Sequence, residues 1–182
     1  MQTDIIISGF GGQGVLFAGQ LLSYAAMDEG KNVTWIPSYG PEMRGGTANC
    51  TVVVSDEEIG SPMVRFPDAV IVMNLPSLDK YESLVKPGGL LVINTSIIDR
   101  KATRTDIRVV EVPANEIAEE IGDRRLTNMV LLGCLVSNLP ILPLAAISKA
   151  LKEHLPARHQ KLIPANMQAI EKGASFQAAP VR

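Results

Sequence analysis

The chain has 182 residues, of which 46% are hydrophobic and 20% charged, and 17 Lys and Arg against 19 Asp and Glu leave a formal net charge of −2. This balance excludes nucleic acid as a main ligand, and no apolar run approaches the ~18 residues of a membrane span. The opening MQTDIII lacks the basic segment that begins a secretory signal, so we expect a cytoplasmic protein that binds neither nucleic acid nor membrane.

Short β-rich runs alternate with helical patterns along the first two thirds of the chain. DIIIS predicts a strand, residues 15–29 predict a helix and NVTWI predicts a second strand, and together they form a βαβ unit. Further strands are predicted at TANCTVVVS, DAVIVM, LLVINTS and DIRVVEVPA, with a helix over 77–85 and another that opens at NEIAEEIG. From Thr127 onward the pattern is helical.

The predicted strands point to a fold class. Runs such as AVIVM and LLVI are apolar throughout, as expected of strands that are covered on both faces in a mostly parallel sheet. We therefore predict a three-layer α/β fold with a Rossmann-like N-terminal βαβ unit and a helical C-terminal part. The length suits one domain, which we place at 1–175 and follow with a loose tail at 176–182.

The stretch SGFGGQG joins the first predicted strand to the first helix. Gly9, Gly11 and Gly14 occupy the positions of a GxGxxG turn, in which the backbone approaches a pyrophosphate at a helix N-terminus. The dinucleotide fingerprint also requires an acid ~20 residues further on, but the second strand ends TWIP. Three interpretations stay open: a turn that only packs tightly, standard NAD binding, which the missing acid disfavours, or a turn whose N–H groups at 11–14 hold an anion or a partner's ligand.

A second glycine-rich segment, SYGPEMRGGTANC at 38–50, lies between two predicted strands. We expect it at the carboxyl end of the sheet, where ligands bind in open α/β folds. Arg44, followed by Gly45 and Gly46, can reach an anion with its bidentate guanidinium group. An ion pair between Arg44 and Glu42 that serves only the structure of the loop is the competing interpretation.

Cysteine and histidine offer little catalytic chemistry. Cys50 and Cys134 lie in apolar runs typical of small buried side chains, and two thiols cannot hold an iron–sulfur cluster that takes four. His154 and His159 lie in a polar region, where we expect them to be solvated, and no Gly-x-Ser-x-Gly elbow is present. The sequence predicts no catalytic and no metal-binding residue in this chain.

Four stretches together resemble the gamma subunit, or gamma domain, of 2-oxoacid:ferredoxin (acceptor) oxidoreductases. They are GFGGQG at 9–14, SYGPEMRGGTANC at 38–50, IGSP at 59–62, and the helix with Asn128 and Leu132-Gly133. The motif PEMRGGTANC followed by IGSP is most similar to that of the 2-oxoglutarate type. The resemblance implies a subunit, inactive alone, of a complex that decarboxylates a 2-oxoacid, forms an acyl-CoA and passes electrons to ferredoxin.

The resemblance also implies that thiamine diphosphate, Mg²⁺ and iron–sulfur clusters belong to partner subunits of alpha, beta and delta type. Consistent with this, the chain has no Gly-Asp-Gly segment that could hold a thiamine diphosphate metal ion, since its one Gly-Asp pair is Gly122-Asp123. Coenzyme A at a shared site is the remaining ligand, with expected contacts at Gly9, Gly11, Gly12, Gln13, Gly14, Tyr39, Arg44, Gly45, Gly46 and Asn128. The alternative function is a free-standing nucleotide-binding or regulatory module.

Overall fold

The computed structural model describes residues 1–39, 47–179 and 181. The strands are β1 (Gln2–Phe10), β2 (Asn32–Tyr39), β3 (Thr47–Ser55), β4 (Ala69–Val72), β5 (Leu90–Asn94) and β6 (Arg108–Val112). The helices are α1 (Val15–Asp28), α2 (Leu75–Tyr81), α3 (Ala114–Ile121), α4 (Thr127–Ser137), α5 (Leu144–His154) and α6 (Ile163–Ala174). Short 3₁₀ segments cover Glu82–Leu84, Arg124–Leu126 and Ala157–Leu162.

The strands form one six-stranded sheet in the order β2-β3-β1-β4-β5-β6. β1, β4, β5 and β6 pair in parallel, and β3 is antiparallel to both of its neighbours. The predicted mostly parallel sheet is confirmed, with one difference: β3 lies between the two strands of the N-terminal βαβ unit. Only residues 40–46 separate β2 from β3, and so short a connection joins antiparallel neighbours, because a parallel crossover needs a dozen residues or more.

Helices cover both faces of the sheet, which confirms the three layers. One face carries Ile5, Ile7 and Val52 and packs against α1, α3, α4, α5 and α6. On the other face, Ile6 and Val70 pack around α2. The strands β4 and β5 are buried over their whole length, which explains why they read as continuous apolar runs.

The C-terminal helices pack through unusually close backbones. A Cβ atom added at Gly133 in α4 would overlap the carbonyl oxygen of Ile170 in α6, and one added at Gly173 would overlap that of Val130. The two glycines therefore allow α6 to lie directly on α4, which is buried from Thr127 to Val136. Among the described residues, no helix has the length and hydropathy needed to cross a membrane.

The segment after α6 is attached to the helices at its beginning. The Nδ2 atom of Asn138 donates to the carbonyl oxygen of Phe176 over 2.8 Å, and its Oδ1 atom accepts from the N–H of Ala178 over 2.7 Å. Residues 176–178, which we expected to be loose, are thus held by hydrogen bonds because one Asn side chain satisfies two backbone groups. The domain boundary at 175 stays a prediction.

Candidate functional site

The glycine turn is braced by Gln13. Its backbone N–H donates to the carbonyl oxygen of Phe10 over 3.2 Å. Its side-chain Oε1 accepts from the N–H of Phe10 over 2.6 Å, and its Nε2 donates to the carbonyl oxygen of Met73 over 3.3 Å. Because these bonds tie the end of β1 to the residue after β4, the side chain of Gln13 serves the shape of the turn. A ligand contact of Gln13 stays a prediction.

The N-terminus of α1 has no cap from a side chain. Its N-cap residue is Gly14, with φ 74°, and the first turn contains no acidic residue. The carbonyl oxygen of Gly14 accepts from the N–H of Ala18 over 3.0 Å, which is the first bond of the helix. The N–H groups of residues 15–17 have no hydrogen-bond acceptor among the described residues, and they lie at the positive end of the helix dipole. This end of α1 is suited to an anion.

Asn128 is brought to the same turn from the start of α4. Its Nδ2 atom donates to the carbonyl oxygen of Gly14 over 3.1 Å, and the residue is 5% exposed. A Cβ atom at Gly14 would overlap Nδ2 of Asn128, whereas one at Gly12, with φ 93°, would meet nothing within 4 Å. The predicted residues Gly14 and Asn128 are therefore in direct contact, and Gly12 is the open point at which a ligand can approach the backbone.

The remaining predicted contacts lie at or beyond the ends of β2 and β3. Thr47 at the start of β3 pairs with Phe10 at the end of β1, and Tyr39 at the end of β2 pairs with Ala48. These strand ends therefore lie at the same edge of the sheet as the glycine turn. The side chain of Tyr39 and residues 40–46, which include Arg44, Gly45 and Gly46, lie outside the described residues, and their roles stay predictions.

A cleft of about 330 Å³ lies beside the turn and is lined by Gly12, Gln13, Ile97, Asn115, Arg124, Arg125 and Thr127. In its wall, the Oδ1 atom of Asn115 accepts from Nδ2 of Asn94 over 3.1 Å, and the hydroxyl group of Thr127 is shared between the carbonyl oxygen of Arg124, at 2.8 Å, and Oδ1 of Asn115, at 3.2 Å. The sequence analysis missed this buried polar group. The available signal was Asn94, a polar residue that ends the otherwise apolar run LLVIN.

A larger cavity of about 580 Å³ lies along the outer side of α1 and was also missed. His154 and His159, which we expected to be solvated, line it. The His154 ring stacks on Tyr24 with 4.3 Å between ring centroids, and its Nε2 atom lies 2.9 Å from Oδ2 of Asp28. His154 is therefore held by packing and by a carboxylate, although part of its surface meets solvent.

The two cysteines are not activated for chemistry. Burial raises the pKa of the Cys50 thiol to about 12, although hydrogen bonding to Trp35 and Gly19 opposes this shift. Burial likewise raises the pKa of Cys134 to about 12. Since the thiolate is the reactive form, neither residue is a nucleophile at neutral pH, in agreement with their interpretation as small buried side chains.

The fold and the turn define the class of protein: an α/β protein of Rossmann-like type, with an uncapped helix N-terminus at the carboxyl edge of its sheet. The model of the pyruvate ferredoxin/flavodoxin oxidoreductase family matches residues 4–176. The chain therefore belongs to this family, as a member of the gamma-subunit type, and the predicted resemblance is confirmed.

Two relatives show how the chain compares in length. It is 39% identical over 176 residues to the ketoisovalerate oxidoreductase subunit VorA of Methanothermobacter marburgensis, covering 96% of this chain and 36% of VorA. It is 34% identical over 176 residues to the 2-oxoglutarate synthase subunit KorC of Methanocaldococcus jannaschii, covering 95% of this chain and 92% of KorC. The chain thus spans about a third of VorA and nearly all of KorC.

Solved structures agree with this assignment. The gamma subunit of a keto/oxoacid ferredoxin oxidoreductase from Geobacter sulfurreducens is 27% identical, with a TM-score of 0.81 and coverage of 95% of this chain and 96% of that one. The 2-oxoglutarate:ferredoxin oxidoreductase of Magnetococcus marinus has a TM-score of 0.86 at 21% identity, over 100% of this chain and 33% of that one. The second comparison shows the fold alone.

Proposed function

We propose that the chain is the gamma subunit of a multi-subunit 2-oxoacid:ferredoxin oxidoreductase, and that 2-oxoglutarate is the substrate. Such an enzyme decarboxylates the oxoacid, transfers the acyl group to coenzyme A and passes the electrons to ferredoxin. Family membership supports the reaction class. The 2-oxoglutarate type is supported by the motif PEMRGGTANC with IGSP and by the alignment along nearly all of KorC. Relatives that act on ketoisovalerate and pyruvate supply the competing substrates for a test.

The contribution of this chain is a contact to coenzyme A that completes the shared active site. The uncapped N-terminus of α1 is the observation that carries this proposal, because free N–H groups and the helix dipole attract a phosphate. Gly12 leaves the approach open, and the carbonyl oxygen of Gly14 is already occupied, because it accepts from Nδ2 of Asn128 and from the N–H of Ala18. The Magnetococcus marinus enzyme is described with 2-oxoglutarate, coenzyme A and succinyl-CoA bound.

The partners that we propose are alpha-, beta- and delta-type subunits, with ferredoxin reached through the complex in the cytoplasm. Thiamine diphosphate, Mg²⁺ and iron–sulfur clusters belong to those subunits. The buried thiols of Cys50 and Cys134 support this division, because their raised pKa values and separate positions make them poor cluster ligands.

Purification from the native source tests the assembly and the substrate. We expect the chain to co-purify with a thiamine-binding and a ferredoxin-like subunit. In the complex, kcat/KM for 2-oxoglutarate should exceed those for pyruvate and ketoisovalerate by about tenfold or more, since an unmatched polar group in a pocket costs about 1–3 kcal/mol. A chain that purifies alone, or a complex that prefers another oxoacid, contradicts the assembly or the substrate respectively.

The variant Gly12→Asp in the complex tests the coenzyme A contact, because it places a negative charge beside the proposed phosphate. Gly30→Asp is the control, since both glycines have positive φ (93° and 76°) and open space around an added Cβ atom. We expect Gly12→Asp to raise the KM for coenzyme A about tenfold or more and to leave the KM for the oxoacid unchanged. An intact Gly12→Asp complex with an unchanged coenzyme A KM rejects the contact.

Arg44→Ala extends the test to the second loop. We expect it to raise the KM for coenzyme A by about ten- to a hundredfold, the range of one charge-assisted hydrogen bond. Arg44→Lys should recover part of this loss, because lysine keeps the charge but not the bidentate geometry of the guanidinium group. If Arg44 instead forms a structural ion pair, the Arg44→Ala complex dissociates, which sizing detects.

A further inference from the structure

Three side chains that can bind a metal ion meet where α1 and α5 end. Asp28 is the last residue of α1, and Glu153 and His154 are the last two residues of α5. One ligand atom from each of the three lies within 4.8 Å of the other two. The ligands of one Zn²⁺ ion lie at most about 4 Å apart, so a shift of about 1 Å in a carboxylate completes the set. In the ranges 1–39, 47–179 and 181 no other such group of His, Cys, Asp or Glu occurs.

The His154 ring is already oriented for this role. It stacks on Tyr24, and its Nε2 atom lies 2.9 Å from Oδ2 of Asp28. The hydroxyl group of Tyr24 accepts in turn from Nε2 of Gln20 over 3.2 Å. Gln20, Tyr24 and Asp28 are spaced four apart and therefore lie on one face of α1. Because neighbouring side chains hold the imidazole in place, little freedom is lost when it binds an ion.

The charges at this point favour a cation. Asp28 and Glu153 carry two negative charges, and among the described residues no Lys or Arg nitrogen lies within 4.0 Å of either carboxylate. Both acids lie in the last turn of a helix, where the negative end of the helix dipole disfavours a carboxylate. The last turn of α1 contains no basic residue to offset this. A bound cation would relieve both unfavourable interactions.

The ligand types indicate which cation fits. An imidazole nitrogen with two carboxylate oxygens suits Zn²⁺ and related transition-metal ions, whereas Mg²⁺ and Ca²⁺ prefer oxygen ligands alone. A neutral imidazole binds the ion through Nε2 and keeps its proton on Nδ1. Three protein ligands leave the fourth position of a tetrahedral ion to water, and the exposed Glu153 leaves room for it.

We propose that Asp28, Glu153 and His154 bind one divalent transition-metal ion of the zinc type, which ties the C-terminus of α1 to that of α5. The sequence analysis predicted no metal ligand in this chain. The site is separate from the Mg²⁺ and the clusters that we assign to partner subunits, and it does not depend on the coenzyme A contact. The competing interpretation is an ion pair between His154 and Asp28 alone, with Glu153 in solvent.

Calorimetry on the purified full chain tests the site, after treatment with EDTA and desalting. We expect ZnCl₂ at neutral pH to bind one ion per chain with a Kd below about 10 µM, and MgCl₂ and CaCl₂ to bind at least about a hundredfold more weakly. Zinc at a hundred times its Kd should raise the melting temperature by about 5 °C or more. No zinc binding at about 100 µM, or Mg²⁺ that binds as tightly as Zn²⁺, overturns the proposal.

Matched variants locate the ion. His154→Ala, Asp28→Asn and Glu153→Gln should each raise the Kd for zinc about tenfold or more, because each removes a direct ligand. His159→Ala removes the other histidine of the chain and Glu171→Gln an exposed acid of α6, and each should change the Kd less than about twofold. Thermal melting without zinc confirms that each variant is folded.

An unchanged Kd in folded His154→Ala, Asp28→Asn or Glu153→Gln overturns the three-ligand site and leaves the ion pair as the explanation of the cluster. A loss of zinc binding in His159→Ala as large as that in His154→Ala places the ion elsewhere and also overturns it. The proposed function is tested separately, by co-purification and by the KM of the complex for coenzyme A, so its failure is distinguishable from the failure of the metal site.

Discussion

The two ends of the parallel strands use polar groups in opposite ways. At the amino end, the carboxylate of Glu82 is 6% exposed and is bonded to Arg100 and to the backbone N–H groups of Thr103 and Arg104. At the carboxyl end, the N-terminus of α1 has no cap and Gly12 is open. The polar groups around Glu82 are paired with one another and stabilise the fold. The N–H groups at the start of α1 are unpaired and are available to a ligand.

The direction of the pKa shift of Glu82 reflects the hydrogen bonds that its carboxylate accepts at the amino end of the strands. Burial acts to raise the pKa of Glu82, but the hydrogen bonds from Thr103, Arg100 and Arg104 outweigh it, and the pKa is lowered from its ordinary value of 4.5. Nearby, Lys86 pairs with Asp68 over 2.9 Å and Asp4 over 3.4 Å. The carboxylates of this end already have their partners within the chain.

The largest effect is expected from Gly14→Ala at the carboxyl end. An alanine at φ 74° is strained, and its Cβ atom would displace Asn128 and remove the bond to the Gly14 carbonyl oxygen. We expect a loss of about 2–4 kcal/mol in the free energy of unfolding, measured by urea denaturation. Gly12→Ala, which has the backbone strain without the overlap, should lose about 1–2 kcal/mol. Equal losses would show that the Asn128 contact is unimportant.

Glu82→Gln should cause the largest loss at the amino end. The variant removes the charge that binds Arg100 and weakens the bonds from Thr103 and Arg104, which we expect to cost about 2–3 kcal/mol in urea denaturation. The control is Glu58→Gln, because Glu58 is exposed and surface substitutions change stability by about 0.5 kcal/mol or less. The KM of the complex for coenzyme A should be unchanged, and a rise in that KM would mean that the two ends of the sheet are not independent.

The pH dependence of stability should identify Glu82 as a titrating group. A carboxyl group whose pKa is lowered on folding stabilises the protein above its ordinary value of 4.5, and this contribution is lost as the pH falls through the lowered pKa. The native chain should therefore lose more unfolding free energy than Glu82→Gln between neutral pH and the range below 4.5. If the free energy of unfolding of the two proteins falls in parallel with pH, Glu82 does not contribute to the loss of stability in acid.

The smallest effect is expected from Asp79→Asn. Asp79 pairs with Arg100 over 2.9 Å, but its side chain is 60% exposed, so solvent screens the pair. We expect a loss of at most about 1 kcal/mol, well below that of Glu82→Gln, although both residues bind the same guanidinium group. A loss as large as that of Glu82→Gln would show that the network depends on Arg100 and not on burial of the carboxylate.

Local patterns predicted the elements that surround the turn. The apolar runs at β4 and β5 indicated strands covered on both faces, and the glycines at 9–14 indicated a strand-to-helix turn. Both signals are short-range: apolar periodicity reports burial, and glycine reports backbone freedom. The helix predicted from Thr127 begins at that residue.

Contacts between distant residues were not predictable in the same way. Asn128 and Gly14 are 114 positions apart, and no local sequence pattern predicts that the start of α4 contacts the start of α1. The larger cavity is lined by residues of α1, α4, α5 and α6 and of the 3₁₀ segments between them, which are far apart in sequence. The position of β3 between β1 and β2 likewise depends on which strand edges are free when the sheet assembles.

The sequence by itself determined the α/β class, the glycine turn and, through four stretches of resemblance, the oxidoreductase family. Tertiary structure alone decided that Gln13 braces the turn, that Asn128 supports Gly14, and that Asn166 and Arg158 share a cavity. The physical reason is that secondary structure and burial follow from neighbours along the chain, whereas a binding site depends on the packing that brings distant polar groups within hydrogen-bonding distance.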